Sequence, residues 1–319
     1  MDKFQLKDDS SRHAYLITAY NNFAVLENLL GMVDDPRNEI FVHIDRGVKN
    51  FDYGYFQELC ERSSVIFVSR VRVHWGHYSQ IESVFNLLQE ATKTYHSHYH
   101  LLSGADLPIK SQDYIHDFCA QHVGKEFVGF GQGDFLSRVR WFYFFNHYRR
   151  PASRRRAAAA LFFAVAATAS FRLQRLVGVD RLKHLGAEIK KGSDWFSVTH
   201  QAALFLLAGR KKIRHLFRYA DVPTEFYAQT LLWNSDFRAD IFDIEDEFRS
   251  SVRHVDWVRG SPYVFRSCDL PELLASKMLF ARKFDARVDM GVVLALREEV
   301  SQRPIDHPGL KFQGNSDSD

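Results

Sequence analysis

Cysteine is scarce in this 319-residue chain: Cys60, Cys119 and Cys268 stand far apart and odd in number. No C-x-x-C spacing joins any two, which disfavours both a disulfide framework and a zinc-thiolate site and makes a reducing cytoplasm the simplest compartment. The chain also lacks the run of about eighteen apolar residues that a spanning helix needs. Its opening stretch, MDKFQLKDDSSRH, has no apolar core of a signal peptide. These absences lead to the expectation of a soluble protein, or one bound peripherally at the inner face of a membrane. Excess charge is missing too: 42 Lys and Arg against 39 Asp and Glu leave +3, too little to argue for nucleic acid. There is no Walker A sequence. Gly129, Gly131 and Gly133 in GFGQGD do not have G-x-G-x-x-G spacing, so P-loop and dinucleotide chemistry are disfavoured.

What is present is an ordinary globular composition, 46% hydrophobic and 25% charged. β-rich runs alternate with helical patterns through the first half. AYLITAY (14–20), EIFVHID (39–45), SSVIFVS (63–69) and YHLLSG read as strands. NFAVLENLLGMV and YSQIESVFNLLQEATKTY read as helices, the second with Ile81, Val84, Phe85 and Leu88 on one face. Such alternation predicts an α/β fold with a mainly parallel sheet covered on both faces, and ligands bind such sheets at the carboxyl ends of the strands. That rule gathers Tyr20, Asp45, residues 70–74 and the stretch from Ser103 to Asp106 around one crevice. One domain is expected over residues 1–302, with an insertion at about 148–188 and a polar, disordered tail from 303 to 319.

The insertion changes character. Arg149, Arg150, Arg154, Arg155 and Arg156 precede an alanine-rich apolar run, with Arg172 and Arg175 after it. Two readings stand: a helical insertion with a solvated basic end, or an interfacial helix whose partner is an anionic membrane surface or lipid-linked substrate.

Four stretches carry candidate chemistry. His96, His98 and His100 alternate, so they share one strand face; they are a packed or surface row rather than a zinc site, since no carboxylate or cysteine accompanies them. In VPTEF, Thr224 can cap a helix and Glu225 lies in its first turn. There Glu225 either complements the helix dipole or, beside Phe226 and Tyr227, loses enough water to serve as a base. In LFARKFDARVD, Arg282, Lys283 and Arg287 adjoin Asp285 and Asp289, either as a salt-bridged face or as a cationic clamp for phosphates. Asp106, after SGA, is a metal ligand at a strand end, a catalytic acid or a turn-former.

Together AYLITAYNNFAVLENLL, IFVHID, VHWGHYSQIESVFNLL, YHLLSGADLPIKS, GSDWFSVT, PTEF and DLPELLASKMLFARKFD resemble a known family. It is that of the core-2/I-branching β-1,6-N-acetylglucosaminyltransferases and peptide xylosyltransferases, glycosyltransferase family 14, in their shorter bacterial form. The pieces run in family order through roughly residues 12–290. The resemblance implies a GT-A-like, Rossmann-related fold and inverting transfer from a UDP-sugar to a hydroxyl of a glycan or lipid-linked glycan, in bacterial surface polysaccharide synthesis. UDP-GlcNAc is the first choice of donor and UDP-xylose the second. No divalent metal or other cofactor is expected, because basic residues near the C-terminus neutralise the diphosphate. By resemblance Glu225 is the general base and Lys283 the phosphate ligand. Arg259 or Arg266 would partner that lysine, although the stretch WVRGSPYVFRSCD departs from the family's histidine–proline pair. Thr18, Ala19, Tyr20 and Asp45 would hold uridine; Ser193, Trp195 and Trp75 would line the sugar pockets; Ser103 and Asp106 would shape the donor pocket. A metal-dependent transferase using Asp106 and a non-catalytic glycan-binding protein are the alternatives.

Overall fold

The computed structural model describes residues 11–146 and 157–302. The first apolar runs become strands joined by helices: β1 (His13–Ala19), α1 (Phe23–Met32), β2 (Asn38–Ile44), α2 (Tyr53–Glu58), β3 (Ser64–Phe67), α3 (Ser79–Ala91) and β4 (His98–Ser103). These four strands are parallel, with Ile17 of β1 facing Val42 of β2 and Leu102 of β4. There follow β5 (Asp106–Pro108), α4 (Gln112–Gln121), β6 (Phe127–Val128), α5 (Ser137–Arg140), α6 (Ala157–Leu176) and β7 (Phe196–Thr199). Then come α7 (His200–Ala208), α8 (Arg210–Phe217), α9 (Tyr227–Trp233), α10 (Glu247–Ser251), β8 (Arg253–Val255), α11 (Leu270–Ala275), β9 (Phe280–Arg282) and α12 (Met290–Gln302).

The large sheet has the order β3-β2-β1-β4-β7-β6. It is the expected α/β arrangement with helices on both faces, except that β7 runs antiparallel to both β4 and β6. The period-two alternation of β1 supplies both cores. Leu16 faces a cluster with Ile81, Val84, Phe85 and Leu88 of α3, while Tyr15 and Ile17 face a second with α1, α4 and α12. The four α3 residues are those that the helical spacing selects.

A three-stranded sheet, β5-β9-β8, lies beside the large one. Buried Arg253 of β8 stitches the two together: its Nη2 donates to the carbonyls of Leu101 (3.2 Å) and Phe196 (2.9 Å), and Nη1 to that of Ser251 (2.8 Å). Burial lowers its pKa to about 9; carbonyls in place of water accept from Nη1 and Nη2, while Nε is buried without a hydrogen bond.

The histidine row is packed, at the amino ends of the strands. His100 Nε2 lies 3.0 Å from His13 Nδ1, Ser197 Oγ lies 2.7 Å from His100 Nδ1, and His13 stacks on His116. Burial lowers the His98 pKa to about 4. The third member is a correction: His96 precedes β4 and turns to Glu39 at 2.9 Å, on the face of Tyr99 and Phe41. Among the described residues, His13, His100 and Cys119 are the one group whose ligand atoms lie within reach of a common ion, and they are buried far from the strands' carboxyl ends. Two of the glycines of GFGQGD serve packing, and the third, Gly133, sits at φ 108 with open space around it. A Cβ on Gly129 would lie 2.4 Å from the Glu247 carbonyl oxygen, and one on Gly131 2.6 Å from Glu247 Oε2.

The helix α6 and the turn Arg181–His184 fall within the expected insertion. The cluster from Arg149 to Arg156 and the tail from 303 lie outside the described residues.

Candidate active site

The small sheet decides where Asp106 points. Antiparallel pairing of β5 with β9 sets Asp106 opposite Arg282, although 176 positions separate them. Arg282 Nη1 donates to Asp106 Oδ1 at 2.7 Å and to Ser103 Oγ at 2.8 Å. The other oxygen, Oδ2, accepts the Ser103 backbone N–H at 2.6 Å, closing the turn after β4. Both carboxylate oxygens are engaged within the protein. The Arg282 guanidinium also lies 4.7 Å above the Trp195 ring, so a cation–π contact brings GSDW to the same place.

LFARKFD is held by the start of the chain as well. Asn22, in the left-handed region at φ 59, donates through Nδ2 to the Phe284 carbonyl (3.0 Å) and accepts from the Ala286 N–H (3.1 Å). Phe284 N–H donates to the Ala105 carbonyl at 2.9 Å. Lys283 is half-buried, without an ion pair among the described residues, and burial followed by the adjacent Arg282 charge holds its ammonium below the usual lysine range. Of its two expected partners, Arg259 is committed elsewhere. It bonds Asp269 (2.7 Å) and Glu272 (2.8 Å) as well as Asp256. Arg266 is exposed and follows Phe265, whose N–H donates to the Lys283 carbonyl at 2.9 Å.

Glu225 lies in a short 3-10 turn, Pro223–Glu225, two residues before the start of α9 rather than in the helix's first turn. Val222, at φ 46, turns the chain into it, and its N–H donates to the Gly76 carbonyl at 3.1 Å. That bond ties the loop carrying Trp75, which is 44% exposed, to the Glu225 loop. Thr224 does not cap the helix; its buried hydroxyl lies toward Asp194 without meeting hydrogen-bond geometry. Arg138 Nη1 donates to Glu225 Oε2 at 2.7 Å, and Lys191 Nζ stands 3.5 Å from the same oxygen. The Glu225 side chain keeps 27% of its surface exposed, and neither ion pair engages its Oε1.

Asp194 joins the two halves. Its Oδ1 is closed to solvent and makes no hydrogen bond. Burial, then the Glu225 charge, raises its pKa to about 6, while Arg282 and Arg138 pull it down. Both cations and Glu225 therefore lie within electrostatic reach of one carboxyl. Glu247 is also raised, by burial first, with Lys191 and Glu225 among its neighbours. Gly192 permits this crowding: a Cβ there would lie 1.8 Å from the Gly129 carbonyl oxygen, and its N–H donates to the Glu225 carbonyl at 2.9 Å.

The family model "Core-2/I-Branching enzyme" matches residues 13–278. The chain belongs to that family. Within it, the chain is similar to xylosyltransferase oxt of Drosophila pseudoobscura pseudoobscura, at 24% identity over 90% of this chain and 33% of that protein. It is similar also to xylosyltransferase sqv-6 of Caenorhabditis briggsae, at 21% identity over 87% of this chain and 35% of that one. The chain thus spans about a third of the length of these animal relatives. The apo structure of mouse xyloside xylosyltransferase 1 is a distant likeness, with TM-score 0.37 and 10% identity over 85% of this chain and 96% of that one.

Of the remaining residues expected from the Core-2/I-Branching resemblance, Thr18, Ala19, Tyr20 and Asp45 sit at the carboxyl ends of β1 and β2, and Ser193 precedes β7. The carbonyls of Thr18 and Ala19 accept from Gly104 N–H and Asp45 N–H, both at 2.9 Å, and Tyr20 is exposed. Asp45 Oδ2 accepts from Val73 N–H at 2.7 Å, and Arg70 donates to the Asp45 carbonyl at 2.6 Å. Ser193 gives its carbonyl to Gln229 Nε2 at 2.7 Å. Arg138, Lys191, Asn22 and Glu247 were not singled out from the sequence. Of these, only Lys191 has a local signal, standing beside GSDW; the others reach the site from elements remote in sequence.

Proposed function

We propose that the chain is an inverting glycosyltransferase with a GT-A-like fold that moves a sugar from a UDP donor to a hydroxyl of a glycan. The observation that carries this reading is the segment 192–195, whose Gly192 N–H donates to the Glu225 carbonyl at 2.9 Å while its Trp195 ring lies 4.7 Å from the Arg282 guanidinium, so that it joins the carboxylate's loop to the cationic segment. Inversion needs one base that takes the proton of the attacking hydroxyl, on the face opposite the leaving group. Glu225 supplies it, held through Oε2 by Arg138 and Lys191 and accepting the proton on Oε1. As the bond to UDP breaks, negative charge grows on the diphosphate. Lys283, with no ion pair among the described residues, and Arg266 stabilise that charge, while Arg282 keeps the segment in place through Asp106.

The proposal includes transfer without a divalent metal, because Asp106 has committed both oxygens to Arg282 and Ser103. It places uridine against residues 18–20 and Asp45, and the sugar between Trp195 and Trp75. GlcNAc is the first donor proposed, and a glycan of bacterial surface polysaccharide the acceptor. The free state of all three cysteines supports a reducing, cytoplasmic setting. Xylose is the second reading, favoured by the names of the relatives above.

UDP release from UDP-GlcNAc and from UDP-xylose, each with and without EDTA, tests this. Release from one donor that persists in EDTA is expected. Complete loss in EDTA overturns the metal-free mechanism. UDP binding without release, whatever acceptor is supplied, overturns the catalytic reading in favour of a glycan-binding protein.

A further inference from the structure

The helix α6 has two apolar faces and only one of them is covered. Its inner side packs on the run after α5. Gln174 brackets Phe142, accepting from its N–H at 2.8 Å and donating to its carbonyl at 3.0 Å, and Phe171 meets Tyr143 edge to face at 4.9 Å. The outer side carries Phe162, Val165, Ala169, Leu173 and Leu176, a spacing that keeps them on one helical face. The large ones among them are 60–84% exposed. An apolar stripe of this length on a solvent face marks a docking surface.

Charge identifies what covers it. From Asp134 to Asp180 the chain has no Asp or Glu between those two ends, yet it has nine arginines and no lysine. Arg172 and Arg175 lie exposed on α6 itself, beside the stripe. A second copy of this chain would bring like charges together, which opposes self-association. An anionic lipid surface complements the arginines and takes up the apolar stripe, and arginine stems can lie along the interface with their heads among phosphates. No helix among the described residues is long and apolar enough to cross a membrane, so the contact is one of lying on the surface.

We propose that the outer face of α6 docks on an anionic phospholipid bilayer, with Phe162, Val165, Leu173 and Leu176 entering the headgroup boundary and Arg172 and Arg175 meeting lipid phosphates. The inference does not rest on the transferase reading. It does set the docked face next to the segment carrying Arg138, since Gln174 and Arg181 bind that segment's backbone, the latter at the Val139 carbonyl (3.0 Å).

Flotation of the full chain with vesicles tests it, using phosphatidylcholine alone or mixed two to one with phosphatidylglycerol. Binding to the anionic vesicles at low salt is expected, falling about tenfold or more at high salt and on neutral vesicles. The variants Val165→Glu/Leu173→Glu and Arg172→Glu/Arg175→Glu, all at exposed positions, should each weaken binding about tenfold with the unfolding midpoint unchanged. Hydrogen exchange of the wild type needs no variant: amides of α6 should gain protection with anionic vesicles. No association with anionic vesicles at low salt, unaltered binding by Val165→Glu/Leu173→Glu, or unchanged exchange in α6 overturns the proposal. Concentration-dependent dimers without vesicle binding overturn it in favour of a second copy.

Discussion

Glu225 meets both of its cations through one oxygen: Arg138 Nη1 at 2.7 Å and Lys191 Nζ at 3.5 Å from Oε2. A carboxylate held on one side only is oriented and still has an oxygen to offer. Glu225→Gln keeps the shape and the loop but removes the basic oxygen. Transfer should fall about 10²–10⁴-fold while UDP binding by calorimetry stays within about twofold of wild type. Near-normal turnover would move the base elsewhere. Arg138→Met should cost less than about 1 kcal/mol of stability, as partly exposed pairs do, but lower transfer more than its stability effect accounts for.

Lys283 has no ion pair among the described residues, and its proposed partner is the diphosphate. Lys283→Ala should weaken UDP by roughly ten- to a hundredfold, the range of a lost charge-assisted contact, and leave uridine nearly unaffected. Titrating the variant with both ligands checks this; equal losses would reject the phosphate role.

Asp194 makes stability depend on pH. Burial and the Glu225 charge raise its folded pKa to about 6 from the ordinary 3.8, so the fold favours the protonated form. Stability from this group is therefore fully present below the unfolded pKa and is lost as pH rises through about 6. Asp194→Asn should be close to wild type below pH ~4 and more stable above pH ~7, by at most roughly 2–3 kcal/mol. Denaturant midpoints at both ends check it, and a gap that does not change with pH would assign the effect to packing.

Asp106 tests what the turn is for. Asp106→Ala removes the partner of Arg282 from a buried position and should cost about 3 kcal/mol; Asp106→Asn, which retains an acceptor, should cost less. If Asp106→Asn retains transfer in EDTA, the carboxylate is structural. If it abolishes transfer that EDTA also abolishes, the metal-dependent alternative stands.

The strands of the large sheet were legible where an apolar run and a turn signal coincide: β1 to β4 lie within two residues of where patterning sets them, and α3 starts within one residue but ends at Ala91, four short of the expected Tyr95. The direction of β7 was not, because alternation along a strand carries no mark of which neighbour it pairs with or which way it runs. The small sheet was invisible for a second reason. Three-residue strands have no period to detect, and β9 forms only because β5 and β8 wait on either side. GSDW, PTEF and LFARKFD were legible as motifs through family resemblance, whereas the partners of Glu225 were not. Arg138 comes from a four-residue helix 87 positions away, and no rule of spacing links it to a glutamate. His96 shows the limit of periodicity from the other side, since alternation predicts a shared face only while the strand lasts.

The pairing of β5 with β9 has a consequence for the life of the chain on the ribosome. All six strands of the large sheet are encoded before residue 200, so a nascent chain can raise that framework early. Arg282 and the clasp of Asn22 on Phe284 arrive some eighty residues later. Until then Asp106 has no counter-ion, and the proposed phosphate side does not exist. A chain cut short after α10 would carry Glu225 and Trp195 but lack Arg266 and Lys283, the groups proposed to neutralise the diphosphate. On the proposed mechanism, the stretch that neutralises the diphosphate is thus encoded only after the whole of the large sheet.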